Sequence, residues 1–277
     1  MTPDATELKD IIINDGLEAG RKFLNSINLK EVCPYDILED YLDDDYSYLE
    51  EVLTLICEFY GSDSIEFPDE DELAYHLIQY PGQSFDLICA CTELGIKFNH
   101  LEFFLLSATH SYNEHFNYLI QHFKFSNKDY NDFFKTLLGF GEYNLSEFND
   151  IDKQYKEYEH ISTMIKQLIT EFNVNVNNND AGGSYNYAVL NCLYYYPNAI
   201  KYFLTHNFNG SILEDNDFWT KFCNRLRKSK IKHHIIAFQQ IKASGITFDD
   251  SIMLSALKSE GLDELINAYV NEPNGKS

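Results

Sequence analysis

Apolar residues recur along this chain at intervals of three and four, the spacing of a single helix face. Tyr48, Val52, Leu53, Leu55, Ile56 and Phe59 form one such stripe, and Phe85, Leu87, Ile88, Cys91 and Leu94 another. Alternation with a period of two is scarce, and no Asn-Gly or Asp-Gly pair joins two alternating runs as a hairpin would require. Pro34, Pro68, Pro81 and Pro197 fall between the apolar segments, where a residue without an N–H donor disturbs a helix least. The pattern predicts an all-α protein.

The ends of the predicted helices share a signature. Cys91-Thr-Glu-Leu-Gly95-Ile-Lys-Phe98 parallels Ile241-Lys-Ala-Ser-Gly245-Ile-Thr-Phe248. Ile169-Thr-Glu-Phe-Asn173-Val and Leu204-Thr-His-Asn207-Phe follow the same plan. Each sets Gly or Asn just past an apolar helix, where a left-handed residue closes the C-terminus, and an apolar residue follows. Asn173, Asn207 and Gly245 are 34 and then 38 residues apart. A helical period in the range of about 20–50 residues points to stacked antiparallel helical pairs, because one pair cannot bury both of its apolar stripes alone.

The segment Asn173-Val-Asn-Val-Asn-Asn-Asn-Asp-Ala-Gly-Gly-Ser-Tyr-Asn-Tyr-Ala-Val-Leu-Asn191 resembles the loop and first helix of an ankyrin repeat. Ile200-Lys-Tyr-Phe-Leu-Thr-His-Asn207 resembles the second helix. Ser184-Tyr-Asn-Tyr187 stands where the family carries Thr-Pro-Leu-His, and Tyr194, Tyr195, Tyr196 and Pro197 lengthen the turn between the helices. The resemblance covers residues 173–209 and implies an ankyrin-like solenoid with atypical repeats. The expected organisation is one elongated domain over 1–277, with no Gly- or Ser-rich linker. It comprises an acidic N-terminal cap region at 1–72, helical pairs at 73–143, an insertion at 144–160 and ankyrin-like repeats at 161–272.

Charge then changes the picture. The chain holds 21 Lys+Arg against 44 Asp+Glu, a formal net charge of −23. Such a surface repels phosphates and anionic lipid, which disfavours direct binding to nucleic acid or to a membrane surface. The charge is uneven: residues 1–72 contain 21 acidic and 4 basic residues, −17 of the total. The densest run holds Asp36, Glu39, Asp40, Asp43, Asp44 and Asp45 with Tyr41, Tyr46 and Tyr48 among them, and a second holds Asp69, Glu70, Asp71 and Glu72. An acidic run is commonly a solvated helix face. Tyrosine within it is also the composition of a binding patch, since a Tyr ring buries area at small rotamer cost. Basic residues gather instead at Lys221, Arg225, Arg227, Lys228, Lys230 and Lys232, followed by His233 and His234.

Motifs of catalysis are missing: there is no G-x-x-x-x-G-K-[ST], G-x-G-x-x-G, H-E-x-x-H or G-x-S-x-G. Asn177-Asn-Asn-Asp-Ala-Gly-Gly183 lacks the alternating ligands and closing Glu of a calcium loop. His115 and His122, seven residues apart beside Glu114, share a helix face, but zinc needs a further ligand. The thiols of Cys89 and Cys91 diverge on a helix, and consecutive Asp43, Asp44 and Asp45 fan out around one. Neither a cofactor nor a bound metal is expected. Tyr194, Tyr195 and Tyr196 lie where inter-helix turns of a solenoid line a binding surface, and are either an aromatic anchor or core filling.

Six cysteines without a C-x-x-C pair, no apolar run of membrane-spanning length and no basic-then-apolar leader point to a reduced cytoplasm. The expected function is a non-enzymatic inhibitor. It would occlude a basic protein partner, such as a nuclease or other nucleic-acid-binding protein, as an immunity protein neutralising a toxin or a phage inhibitor mimicking nucleic acid. The alternatives are a microbial ankyrin-type effector engaging a host protein, or an enzyme with a metal site at Asp43, Asp44 and Asp45.

Overall fold

The computed structural model describes residues 5–29, 49–64, 81–109, 113–139, 159–178, 187–226 and 231–271. Among these residues there are fourteen α-helices, three short 3-10 turns and no strand. The chain divides into two compact units, Met1–Leu106 with Asn117–Phe123, and Ser107–Phe116 with Lys124–Ser277.

The first unit begins with α1 (Ala5–Asp15), α2 (Leu17–Ser26), α3 (Leu49–Tyr60) and α4 (Pro81–Leu94). Each packs on the next. The apolar stripes face inward: Leu8 and Ile12 from α1, Leu24 from α2, Val52, Leu53, Leu55 and Ile56 from α3, and Leu87, Ile88 and Cys91 from α4 are all buried. Gly20 lets α2 sit close, because a Cβ there would lie 2.7 Å from Ile12 Cγ1 and 3.2 Å from Leu55 Cδ1. Pro81 opens α4, where its missing N–H costs no intrahelical bond. Gly95, at φ 72°, ends that helix: Ile96 N–H donates to Cys91 O at 2.9 Å and Gly95 N–H to Thr92 O at 3.3 Å. These are the paired bonds of a left-handed C-terminal cap. Two more helices follow, α5 (His100–Thr109) and α6 (Asn113–His122). Phe98 meets the rings of Phe103 and Phe123 edge-on at 5.2 and 5.5 Å, and His100 stacks on Phe123 at 4.6 Å.

The second unit carries α7 (Asn127–Gly139), α8 (Glu159–Thr170), α9 (Ala188–Tyr195), α10 (Ile200–Leu204), α11 (Asn216–Arg225), α12 (Ile231–Ala243), α13 (Ser251–Ser259) and α14 (Asp263–Val270). Helix α7 packs on α8 and α9; α8 on α10, α10 on α12 and α12 on α14. Helix α11 packs on α13, and α13 on α14. Helix α9 is buried nearly all round, from Ala188 to Leu193, which explains its weak amphipathic pattern. Phe134 stacks on Phe203 at 5.6 Å, while Trp219, Phe222 and Phe238 form a further aromatic cluster. The buried indole of Trp219 donates to Leu213 O at 2.6 Å, satisfying its single polar group.

The loops of this unit are held by side chains of a neighbouring helix or loop that bond to their backbone. Asn131 Oδ1 accepts from Asn175 N–H at 2.8 Å. Asn177 accepts from Asn209 N–H at 2.8 Å through Oδ1 and donates to Asn207 O at 2.9 Å through Nδ2. Glu214 Oε1 accepts from Asp249 N–H at 2.9 Å. Asn173 and Asn207 hold φ at 51° and 50°, and Gly245 at 70°, the left-handed geometry their positions predict. At Gly210 an added Cβ would stand 2.5 Å from both Ile246 Cγ2 and Thr247 O, so the two loop backbones touch there.

Candidate interaction surfaces

The acidic and tyrosine candidates Asp36, Glu39, Asp40, Tyr41, Asp43, Asp44, Asp45, Tyr46 and Tyr48 lie outside the described residues, as do Asp69, Glu70, Asp71 and Glu72. The described helices between and beside those runs carry the same charge. Glu7, Asp10, Glu18, Glu50, Glu51, Glu58, Asp86 and Glu93 are exposed on α1 to α4. Several of the cations nearby are already engaged. The Arg21 guanidinium forms a two-pronged bond to Glu58, at 2.9 Å from Nε and 3.0 Å from Nη2, and also meets Glu18. The bond to Glu58 raises the Arg21 pKa and lowers that of Glu58. Lys97 pairs with Asp63 at 2.6 Å, and Lys9 is itself buried. Glu7, Asp10, Glu50, Glu51, Asp86 and Glu93 have no ion-pair partner among the described residues.

The three consecutive tyrosines separate. Tyr195 and Tyr196 are 2% exposed and belong to the core, whereas Tyr194 is half-buried with its ring edge-on to Tyr195 at 4.8 Å and Phe222 at 5.7 Å. Of the three, Tyr194 alone keeps partial exposure to solvent. The basic run divides too. Lys221, Arg225 and Lys232 are exposed, and Lys221 pairs with Asp217 at 2.6 Å one turn away. His234 is wholly buried, 3.4 Å from Tyr194 O and edge-on to Phe222, so it is a core residue. Arg227, Lys228 and Lys230 lie outside the described residues.

The histidines also take different roles. His122 is exposed, stacks on Tyr118 at 4.0 Å and lies 2.9 Å from Tyr118 O through Nδ1. His115 is 5% exposed, and burial pushes its pKa down to about 4, which keeps the ring neutral. Among the described residues no group of three His, Cys, Asp or Glu side chains is arranged to hold a metal ion. Cys57, Cys89, Cys91, Cys192 and Cys223 are free thiols, and burial raises the pKa of each. Thiols so shifted are poor nucleophiles at neutral pH.

One feature had a sequence signal that the apolar pattern does not capture. Asn216, Thr220 and Asn224 recur every four residues on α11, and Ser251, Ser255 and Ser259 do so on α13. The two ladders line a groove of about 540 Å³, whose lining also includes buried Cys223 and exposed Glu260. Short polar side chains at i, i+4 and i+8 lie on one helix face, so the period was readable, but not which helix it would meet.

Among the described residues no helix is long and apolar enough to cross a membrane. Comparison with models of protein families, with curated proteins and with solved structures finds no match to this chain.

Proposed function

We propose that the chain is a binding protein that occludes a basic protein partner with the acidic, tyrosine-containing surface of its first 72 residues. The observation that carries this reading is that Glu7, Asp10, Glu50 and Glu51, exposed on α1 and α3, have no ion-pair partner among the described residues. Unbalanced carboxylates at that density attract a cationic surface over about one Debye length and speed association with it. Residues Asp36 to Tyr48 and Asp69 to Glu72 extend the charge, and the tyrosines supply area that sets residence time. Within this class, the reading favours an inhibitor of a nuclease or other nucleic-acid-binding protein, acting in the cytoplasm, as an immunity protein or a nucleic acid mimic does.

The proposed scaffold is an ankyrin-like solenoid of stacked helical pairs with atypical repeats. Support comes from the succession of contacts α8, α10, α12, α14 and from the side-chain bonds to loop backbone made by Asn131, Asn177 and Glu214. Residues 173–209 supply the left-handed caps and the two helices that the resemblance calls for.

The experiment is affinity capture with the full chain from its native source, followed by the same capture with Asp43, Asp44, Asp45, Glu50 and Glu51 reversed to Lys. The expected result is a basic protein that is lost from the reversed variant and released by salt. Capture that is unchanged by the reversal at low salt would end the proposal.

A further inference from the structure

The loop between α10 and α11 contains the step Asn209-Gly210, with the asparagine exposed and the glycine buried. An asparagine that precedes glycine can lose its side-chain amide, because no neighbouring Cβ hinders the approach of the glycine nitrogen. The Gly210 nitrogen gives its proton to solvent base and bonds to Asn209 Cγ. The Cγ–Nδ2 bond breaks, and the nitrogen takes up a proton from water and leaves as ammonia. Water then adds to one carbonyl of the cyclic imide and opens it, which leaves aspartate or isoaspartate at position 209. The sequence of steps consumes water, releases ammonia and needs no oxidant.

We propose that Asn209 is a site of hydrolytic modification gated by this loop: the docked loop holds it unreactive, and opening of the loop commits it to conversion. Three observations carry the proposal. First, the leaving group is available. Asn209 Nδ2 makes no hydrogen bond to a described residue.

Second, the backbone is held away from ring closure. The imide requires the Gly210 nitrogen to eclipse Asn209 Cβ about the Cα–C bond. At φ −86° and ψ 107° that nitrogen is turned to the opposite side, out of reach of Cγ. Hydrogen bonds on all sides of the residue oppose the rotation. Asn209 N–H donates to Asn177 Oδ1 at 2.8 Å, and Asn209 O accepts from Ile212 N–H at 3.2 Å. Its Oδ1 accepts from Ser211 N–H at 3.2 Å and from Ser211 Oγ at 2.9 Å.

Third, the docked loop has no room for the product. Isoaspartate routes the main chain through Cβ and so lengthens it by a methylene. Gly210 lies against the following loop, where even an added Cβ would stand 2.5 Å from Ile246 Cγ2 and Thr247 O. A loop carrying isoaspartate cannot seat as before, so a molecule that has opened and converted keeps the change.

The test is incubation of the full chain at mildly alkaline pH, with conversion followed by chromatography and mass spectrometry of its peptides. That readout separates Asn209-Gly210 from the other such step, Asn274-Gly275. Conversion at Asn209 is expected to be at least tenfold slower in the folded chain than in guanidinium at the same pH, because only the open fraction reacts. Guanidinium below the unfolding midpoint should already raise the wild-type rate. Asn177→Ala, which removes the bond to Asn209 N–H, should speed conversion about fivefold or more. The isoaspartyl form, isolated by ion exchange, should show faster amide exchange at Ile212. The proposal is overturned if Asn209 does not convert even in guanidinium, or if the folded chain converts at the unfolded rate. It is equally overturned if the rate stays within twofold of wild type in Asn177→Ala and is unmoved by guanidinium below the midpoint.

Discussion

Replacing Asn177 with Ala removes two hydrogen bonds at once, and both reach the backbone of the next loop. Its Oδ1 accepts from Asn209 N–H at 2.8 Å, and its Nδ2 donates to Asn207 O at 2.9 Å. The two bonds bracket the left-handed turn at Asn207, φ 50°, and so fix the path of the chain between α10 and the following 3-10 turn, Gly210–Glu214. A net hydrogen bond contributes about 0.5–1.5 kcal/mol, and a half-buried side chain falls in the lower part of that range. The expected loss is therefore about 1–2 kcal/mol, read as a lower urea midpoint at constant m-value. Asn177→Asp keeps the acceptor for Asn209 but points a carboxylate oxygen at the Asn207 carbonyl. Two acceptors then face each other, and the loss should match that of Ala despite the conserved shape. Amide exchange supplies the local readout, since the Asn209 N–H should lose protection in the Ala variant while amides of α7 keep theirs. A change below about 0.3 kcal/mol with unaltered exchange at Asn209 would refute the idea that side chains of one loop hold the next.

Gly210→Ala should destabilise by about 1–3 kcal/mol, because a Cβ placed 2.5 Å from Thr247 O can be accommodated only by moving backbone; a neutral result by urea unfolding would show that the loops are not in contact. His115 links stability to pH. Its folded pKa of about 4 is below its ordinary value of about 6.5, so the unfolded chain takes up a proton first as pH falls. Stability should therefore decline by up to about 3 kcal/mol between pH 6.5 and 4, and His115→Gln should flatten that interval; an unchanged profile would mean the ring is accessible to water. Trp219→Phe removes the donor to Leu213 O and leaves a void, for an expected loss of about 2–4 kcal/mol by thermal or urea unfolding. A loss under about 1 kcal/mol would place the indole outside the core.

Much of the local structure was legible because its causes are local. The stripes at 52–59 and 85–94 fall within α3 and α4, since spacing by three and four puts apolar side chains on one face whatever lies opposite. Asn173, Asn207, Gly95 and Gly245 all adopt positive φ, because only Gly and Asn enter that region at small cost and each follows a helix. The acidic candidates were equally plain as composition, yet composition carries charge and not arrangement.

Position in the core was not legible, because it depends on residues far along the chain. Tyr194, Tyr195 and Tyr196 are identical in sequence, but the packing around α9 buries the last two and leaves the first half-open. His234 reads as the end of a basic run and lies instead against Phe222 and the Tyr194 carbonyl. Gly210 resembles any turn glycine until Thr247 is found 2.5 Å from where its Cβ would stand. The ladders on α11 and α13 are polar in any fold, and they line a groove because these two helices, separated by α12 in sequence, pack side by side. Helix type and helix ends follow from backbone sterics and nearest neighbours, which the sequence by itself determines. Burial and the pairing of faces follow from contacts across tens of residues, which only the tertiary structure decides.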